Sequence, residues 1–417
     1  MEYTRTARRL RGQIAKFSGV VCRGTGKVGS RFVCEMVYGI QASQSVMLSD
    51  IARTLQERIS MKKTHERLVR QLGRSGLGGR LQANLLSHAA SRVGEDTLLV
   101  LDVSELTKTY ARKMEHLCRV RDGSDGVLRL GYWTMNVVAT DVDGRRLIPL
   151  YQKLYSSAAP GFESENTEMV TAMKAVSNHT ERRGIWVIDR GGDRRANVIE
   201  PMLKEGLRFI IRLRGDRMVV CSTKSSRAVE IARSCPCPYA ETIVKGRGSE
   251  QKLYHISFGY RRVKLPGSTQ WLWMLVVKGF GEKPLMLLTT EPLRRNREVL
   301  WKVARSYFRR WSIEEMIRYI KQSYGLENVR VLRYESLQNL IVLVLLASHF
   351  ACAVLGLSAK LQVMTSQLLT AAKRIFDIPQ FLYYALADGI QALFARCPGP
   401  PTPRFASTQG QLSLFPT

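Results

Sequence analysis

Thr97-Leu-Leu-Val-Leu-Asp102 is a short apolar run that closes on an acid. Ile185-Trp-Val-Ile-Asp189 repeats the pattern, and Arg190-Gly-Gly-Asp193 follows it. Both runs predict strands. In open α/β sheets functional groups gather at the carboxyl ends of the strands. If these two strands lie side by side, Asp102 and Asp189 converge at one edge of the sheet. Hard divalent cations such as Mg²⁺ or Mn²⁺ bind sites of this kind, through carboxylates and retained waters. Taken singly, a strand-terminal aspartate is more often a helix cap or a turn residue.

Around these runs the pattern is that of an α/β chain. Gly131–Thr140 and Arg146–Tyr155 are two further strand candidates, joined at Asp141-Val-Asp-Gly144, a hairpin signal. Helices are expected over Ser164–Thr180 and Asn197–Glu205, and a strand over Arg208–Arg214. From about 215 to 290 the chain alternates β-rich pieces (Arg217–Cys221, Lys252–Tyr260, Trp271–Val277 and Pro284–Thr289) and reads as a β-rich insertion. Residues 297–323 are strongly helical, and helices continue to about Leu393. The end of the chain, from Pro398, is rich in Pro, Ser, Thr and Gln and is expected to be mobile. No internal repeat is found.

On the 297–323 helix, Tyr307, Arg310, Glu314 and Lys321 are separated by 3, 4 and 7 residues. At about 100° per residue they fall within roughly 60° of one another. Arg318 joins that stripe, whereas Glu315 points away from it. One face therefore presents a carboxylate among an aromatic ring and several cations. A solvated face with ordinary i,i+4 ion pairs would also account for Arg310 and Glu314.

The first 95 residues hold little strand signal, with 17 Lys and Arg against 6 Asp and Glu. Leu48–Leu55 has helical apolar spacing, with Ser49 placed to cap its start. After a break at Ile59-Ser60, a second run, Lys62–Leu72, presents Lys62, Lys63, His65, Arg67 and Arg70, while Leu68, Val69 and Leu72 can pack inward. Two short helices with a basic second one resemble a helix-turn-helix, although many small helical bundles share the pattern. Gly73–Gly79 (GRSGLGG) lacks the Gly-Lys-Ser/Thr ending of a phosphate loop, and no strand precedes it, so it reads as a linker.

The charge balance is the feature of the composition that narrows function. Sixty-four Lys and Arg against 35 Asp and Glu give the 417 residues a net charge of +29, which favours a nucleic-acid partner. The N-terminal residues carry arginines but no apolar core of a secretory signal. Eight cysteines without regular spacing fit reduced thiols and a cytoplasmic, nucleoid-associated protein. Cys235-Pro-Cys237 is too close a pair for a zinc knuckle. Leu340–Leu357 has about the length of a membrane span, but a buried core helix gives the same signal and is the expected reading.

Tyr307-x2-Arg310-x3-Glu314-x6-Lys321 matches, without departure in spacing, the Y-R-E-K signature of the IS4-type DDE transposases, insertion-sequence enzymes that the chain resembles over roughly residues 95–350. The resemblance implies an α/β fold with an RNase H-like mixed sheet flanked by helices. It also implies a β-rich insertion before the helix that carries the catalytic glutamate. Residues 1–95 would be a helical, basic domain that binds transposon ends, and 96–330 the catalytic domain. Residues 331–400 would be a helical dimerisation region from about Gln338 onward, and 401–417 a mobile tail. Asp102, Asp189 and Glu314 would be the metal-binding catalytic triad for two Mg²⁺ ions, with Mn²⁺ as a substitute. Two ions about 4 Å apart activate the attacking oxygen and stabilise the leaving one. Tyr307, Arg310, Arg318 and Lys321 would contact DNA near the scissile bond. Lys62, Lys63, Arg67 and Arg70 would contact the double-stranded transposon end. Some relatives pass through a hairpin at the transposon end, for which Trp271 and Trp273 are candidates. The implied assembly is a homodimer on paired ends, with no membrane partner.

Glu105, Asp141, Asp143 and Asp193 are not assigned to catalysis. Two rival readings stay open on sequence alone. One is an RNase H-like nuclease that cuts without joining; the other is an inactive relative retained for DNA binding.

Overall fold

In the computed structural model of the chain, β1 (Leu98–Thr107) runs through the middle of a ten-stranded mixed sheet. The structure describes residues 3–355 except 124, 145 and 246–251, together with 360, 363 and 383–402. The run 97–102 therefore opens a longer strand that continues five residues past Asp102. On one side β1 pairs antiparallel with β3 (Leu128–Thr140), which also pairs with β2 (Cys118–Arg121) and β4 (Leu147–Tyr155). On the other side it pairs parallel with β5 (Ile185–Ile188), and β5 pairs parallel with β6 (Arg208–Arg212). Three antiparallel strands followed by two parallel ones is the RNase H-like order that the sequence led us to expect. The β3–β4 turn is the expected one, with Gly144 at φ 71°, a conformation that favours glycine.

The expected insertion does not stand apart as its own module. Its strands β9 (Tyr239–Lys245), β10 (Lys252–Val263), β11 (Leu272–Lys278) and β12 (Leu285–Thr289) continue the central sheet beyond β6, in the order β6-β12-β11-β10-β9. Sequence alternation reveals strands but not the sheet they join. Among the described residues, the hairpin of β7 (Met218–Cys221) and β8 (Lys224–Arg227), followed by the short α8 (Ala228–Ser234), lies outside that sheet.

Helices cover both faces. On one face α6 (Glu165–His179) and α7 (Glu200–Lys204) pack over Leu99, Leu101, Trp186 and Ile211. Ser164 caps α6 by accepting from Thr167 N at 3.1 Å. The opposite face, with Leu98, Val100, Val187 and Leu287, is covered by α9 (Arg297–Phe308) and α10 (Trp311–Ser323).

The N-terminal region consists of α1 (Tyr3–Val21), α2 (Gly26–Ser43), α3 (Leu48–Leu55), α4 (Met61–Leu72) and α5 (Leu77–Ala89). The α3–α4 pair is where the periodicity predicts it. Its details differ. Met47, not Ser49, is the N-cap of α3, while Ser60 caps α4. Val69 is exposed rather than packed, because Thr64, Leu68 and Leu72 already form the inward stripe of this helix. Gly73–Gly79 is not a free linker. Gly78 N donates to Asn339 Oδ1 at 2.8 Å, and Asn339 Nδ2 donates to the carbonyls of Leu72 and Arg74.

Asn339 belongs to α11 (Tyr334–His349), the apolar helix whose composition resembles a membrane span. The helix and the turn that follows it, Tyr334–Val354, are long and apolar enough to cross a membrane, but 83% of their apolar 18-residue window is buried inside the protein. It packs against β4, α2 and α5, and α12 (Tyr383–Arg396) lies against α2. Even His349 is fully buried, its Nδ1 at 2.7 Å from the Pro149 carbonyl. Within the expected dimerisation region, α11 itself is enclosed by its own chain. Most of 356–382, and the tail from 403, lie outside the described residues.

Candidate active site

Three segments remote in sequence meet at the Asp102 level of the sheet. Asp102 lies on β1 opposite Asn136 and faces α10, on the same side as Leu98 and Val100. Asp189 follows the last residue of β5, and β5 pairs Ile188 with Leu101. The two aspartates therefore stand on adjacent parallel strands, one residue past the paired Leu101 and Ile188. Asp189 is also a turn residue, since its Oδ1 accepts from Gly191 N at 2.7 Å. A cap role and a site role are therefore compatible here.

The third segment is the junction of α9 and α10. The sequence predicted one helix across 297–323, but the structure tightens it at Arg309–Arg310. Arg310 N donates to Tyr307 O, and Ile313 N to Arg310 O, each at 3.0 Å. Arg310 therefore becomes the N-cap of α10, and the four signature residues do not share a single straight stripe. The guanidinium connects two of the acids. Its Nη1 donates to Asp102 Oδ2 at 3.1 Å and its Nη2 to Glu314 Oε1 at 2.7 Å. Arg310 is mostly buried, whereas the Glu314 side chain is 46% exposed.

The electrostatics report the same convergence. The Asp102 carboxyl is pushed up to about 7, chiefly by burial, with Arg310 opposing and the like charges of Asp189 and Glu314 adding to the rise. A carboxylate is raised in this way when it is desolvated beside other carboxylates. Glu165, at the start of α6, is raised by burial and then by Asp189. This fourth acid was missed in the sequence because a Glu in the first turn of a helix is ordinary.

The other signature residues occupy less open positions than the sequence implied. Tyr307 is only 4% exposed, and its hydroxyl is raised by burial, with Arg310 and Arg212, the last residue of β6, opposing the rise. Lys321 Nζ donates to Glu105 Oε1 at 2.8 Å, which gives Glu105 a structural partner. Arg318 is half-exposed and pairs with Glu315. Asp193 is fully buried and holds Arg217 at 2.6 Å.

Trp271 and Trp273 are not brought to this site. Trp273 pairs with Thr289, Thr289 with Ile210, Ile210 with Val187 and Val187 with Val100. Trp273 is thus four strands, or about 19 Å, from β1. Trp271 lies two residues further from the acidic end, with Arg262 and Lys264 over its ring. The rings beside Arg310 are instead Trp311, Phe308 and Phe280, with centroids 5.2–5.7 Å apart. Trp311 directly follows Arg310 in the sequence, which was the available signal.

In the N-terminal helices Lys62, Lys63 and Arg70 are exposed. Arg67 is not an open DNA-facing cation. It pairs with Glu35 at 2.6 Å and Glu57 at 2.9 Å, and Glu35 is nearly buried. One turn of helix separates Lys63 from Arg67, and sequence spacing alone could not reveal these partners on α2 and beyond α3.

An oxygen-only set of three acids, one of them driven up chiefly by burial and further by its neighbours, has the chemistry of a hard divalent-cation site. Among the described residues no three His, Cys, Asp or Glu side chains stand close enough to hold an ion together. Arg310 supplies the balancing positive charge between Asp102 and Glu314. The family model described as the transposase DDE domain matches residues 137–350, which include Asp189 and Glu314 and begin after Asp102. No curated protein matches the chain.

Proposed function

The chain belongs to the transposase DDE domain family, and from that premise we propose that it is an IS4-type insertion-sequence transposase that cuts transposon ends and joins their 3′-OH groups to target DNA. The observation that carries this reading is the Arg310 guanidinium, which bonds Asp102 of the central strand with one arm and Glu314 of the sequence signature with the other. Transposases of this family generally use divalent metal ions. In our reading Asp102, Asp189 and Glu314 hold two of them, Mg²⁺ or Mn²⁺. Bound there, the ions supply Lewis-acid activation of the attacking oxygen and charge neutralisation at the leaving one.

The protein's own residues position and neutralise. Burial of Asp102 beside two other acids makes the edge a strong attractor for cations. Arg310 is the nearest protein cation to a phosphate entering that edge, and a planar guanidinium fits such an oxyanion bidentately. Buried Tyr307 orients Arg212 toward the same edge. Lys321 fixes Glu105 and, with it, the stretch of β1 beyond Asp102. Lys62, Lys63 and Arg70 grip the transposon end from α4, and the protein works as a cytoplasmic homodimer on paired ends.

The test is cleavage of a supercoiled plasmid carrying the element's own ends. Wild type should nick or excise with Mg²⁺ or Mn²⁺, and Glu314→Gln should not. Sequenced joined products would separate a transposase from a plain nuclease. End binding without cutting under either metal would favour an inactive DNA-binding relative.

A further inference from the structure

Beyond Asp102, β1 runs on to Thr107 and enters a turn that forms one wall of a groove of about 680 Å³. Residues 107–114 make that wall, and 327–332, between α10 and α11, make the other. The groove is preformed. Lys108 Nζ donates to the carbonyls of Glu327 and Val329 at 2.7 and 2.5 Å, and Glu115 N donates to Leu332 O at 2.9 Å. Its lining carries Lys108, Arg112, Lys113 and Arg330 against a single acid, Glu327. Among the described residues no carboxylate pairs with Arg112, Lys113 or Arg330, and Tyr110 stands 92% exposed at the rim. Four cations with one counter-charge, and an exposed ring beside them, match a phosphodiester backbone rather than a peptide or an apolar ligand.

The position of the groove identifies which DNA. Arg330 and Leu332 also line an apolar pocket whose opposite side is His65 and Val69 of α4. The 330–332 segment thus stands between α4 and the groove, and Glu327 of the groove lining lies 3.7 Å from Lys321, which holds Glu105, three residues past Asp102 on β1. We propose that this groove holds the phosphodiester backbone of the transposon end between the stretch gripped by α4 and the scissile phosphate. Arg112, Lys113 and Arg330 are the phosphate contacts and Tyr110 is a stacking or sugar contact. The proposal rests on the transposase reading given above.

The experiment is fluorescence anisotropy in EDTA, which separates binding from chemistry. Wild type, Arg112→Ala/Lys113→Ala and Tyr110→Ala are titrated with a duplex of the element's own end, the same duplex extended with flanking DNA, and a scrambled duplex, at several salt concentrations. All three substituted residues are exposed, and unchanged melting temperatures confirm intact folds. The double variant should bind the end duplex roughly 5- to 20-fold more weakly, with the log–log salt slope reduced by about two. Tyr110→Ala should bind it more weakly with an unchanged slope. Wild-type affinity and slope in the double variant would overturn the proposal, and so would a loss seen only on the flank-extended duplex. A wild type that binds scrambled and end duplexes equally would sink the transposase reading, and the groove assignment with it. A preserved preference with an unaffected double variant would sink the groove alone.

Discussion

Arg310 and Asp102, 208 positions apart in sequence, meet through Nη1 and Oδ2 at 3.1 Å, while the other arm of the guanidinium holds Glu314. A lysine has one point of charge and cannot span two carboxylates in a fork. Arg310→Lys should therefore lower the rate of strand cleavage by about 10²–10³-fold, the range for losing one preorganised charge contact. End binding by gel shift should be unchanged. Cleavage within threefold of wild type would show that the fork is dispensable.

Asp189 and Glu314 should be separable from binding in the same way. Asp189→Asn and Glu314→Gln keep shape and remove charge, so both should abolish metal-dependent cleavage while leaving the affinity for end DNA intact. Product formation by either variant at the wild-type rate would remove that residue from the triad.

The raised pKa of Asp102 gives a signed pH prediction. Below about pH 7 the carboxyl holds a proton in the ion-free protein, mainly because of burial and then because of Asp189 and Glu314. A divalent cation needs the ionised form, so its binding must expel that proton. Mn²⁺ affinity should rise with pH up to about 7 and then level off. Calorimetry in buffers of different ionisation enthalpy should detect proton release at pH 6 and little at pH 8. Equal release at both values would contradict the placement of this proton.

Arg67 and Lys62 should part company although both are basic residues of α4. Arg67→Ala removes one of the two arginines that hold nearly buried Glu35, leaving only Arg31, and should lower unfolding stability by about 1–3 kcal/mol, measured by urea midpoint. Lys62→Ala should leave stability alone, weaken end binding and reduce its salt slope by about one. Identical stability of the Arg67 variant and wild type would return Arg67 to the DNA-facing set.

Of the aromatic residues, Trp311 lies next to Arg310 in the ring cluster with Phe280 and Phe308, whereas Trp271 is several strands away. Trp311→Ala should therefore impair cleavage of an intact end by about tenfold or more, on the scale of one lost base–aromatic stack. Trp271→Ala should not. The reverse order of effects, in a single-turnover assay, would restore the tryptophans of the sheet extension to the terminal step.

How far the sequence could be read depended on the range of each interaction. Apolar runs ending in Asp102 and Asp189 revealed the two strands, because composition and length are local properties, while their parallel pairing entered only as a condition. The Y-R-E-K spacing led to Glu314 for the same reason. Partners were not legible. Nothing near Arg67 in sequence announces Glu35, nothing near Gly78 announces Asn339, and nothing near Lys321 announces Glu105. The strands after 215 were visible as strands, yet their addition to the β6 edge is a matter of pairing, which periodicity does not encode.

The enclosed helix α11 has a mechanical consequence. It touches α2, α4 and α5 on one side and strand β4 on the other, and the apolar core runs unbroken from Ala7 to Phe394. A torque applied to the N-terminal helices is thus delivered to the sheet through a stiff internal rod instead of being dissipated in a hinge. The same arrangement makes the first 95 residues a poor place to divide the chain. Removing them would uncover a greasy rod, so the fragment left behind would be sticky before it was inactive.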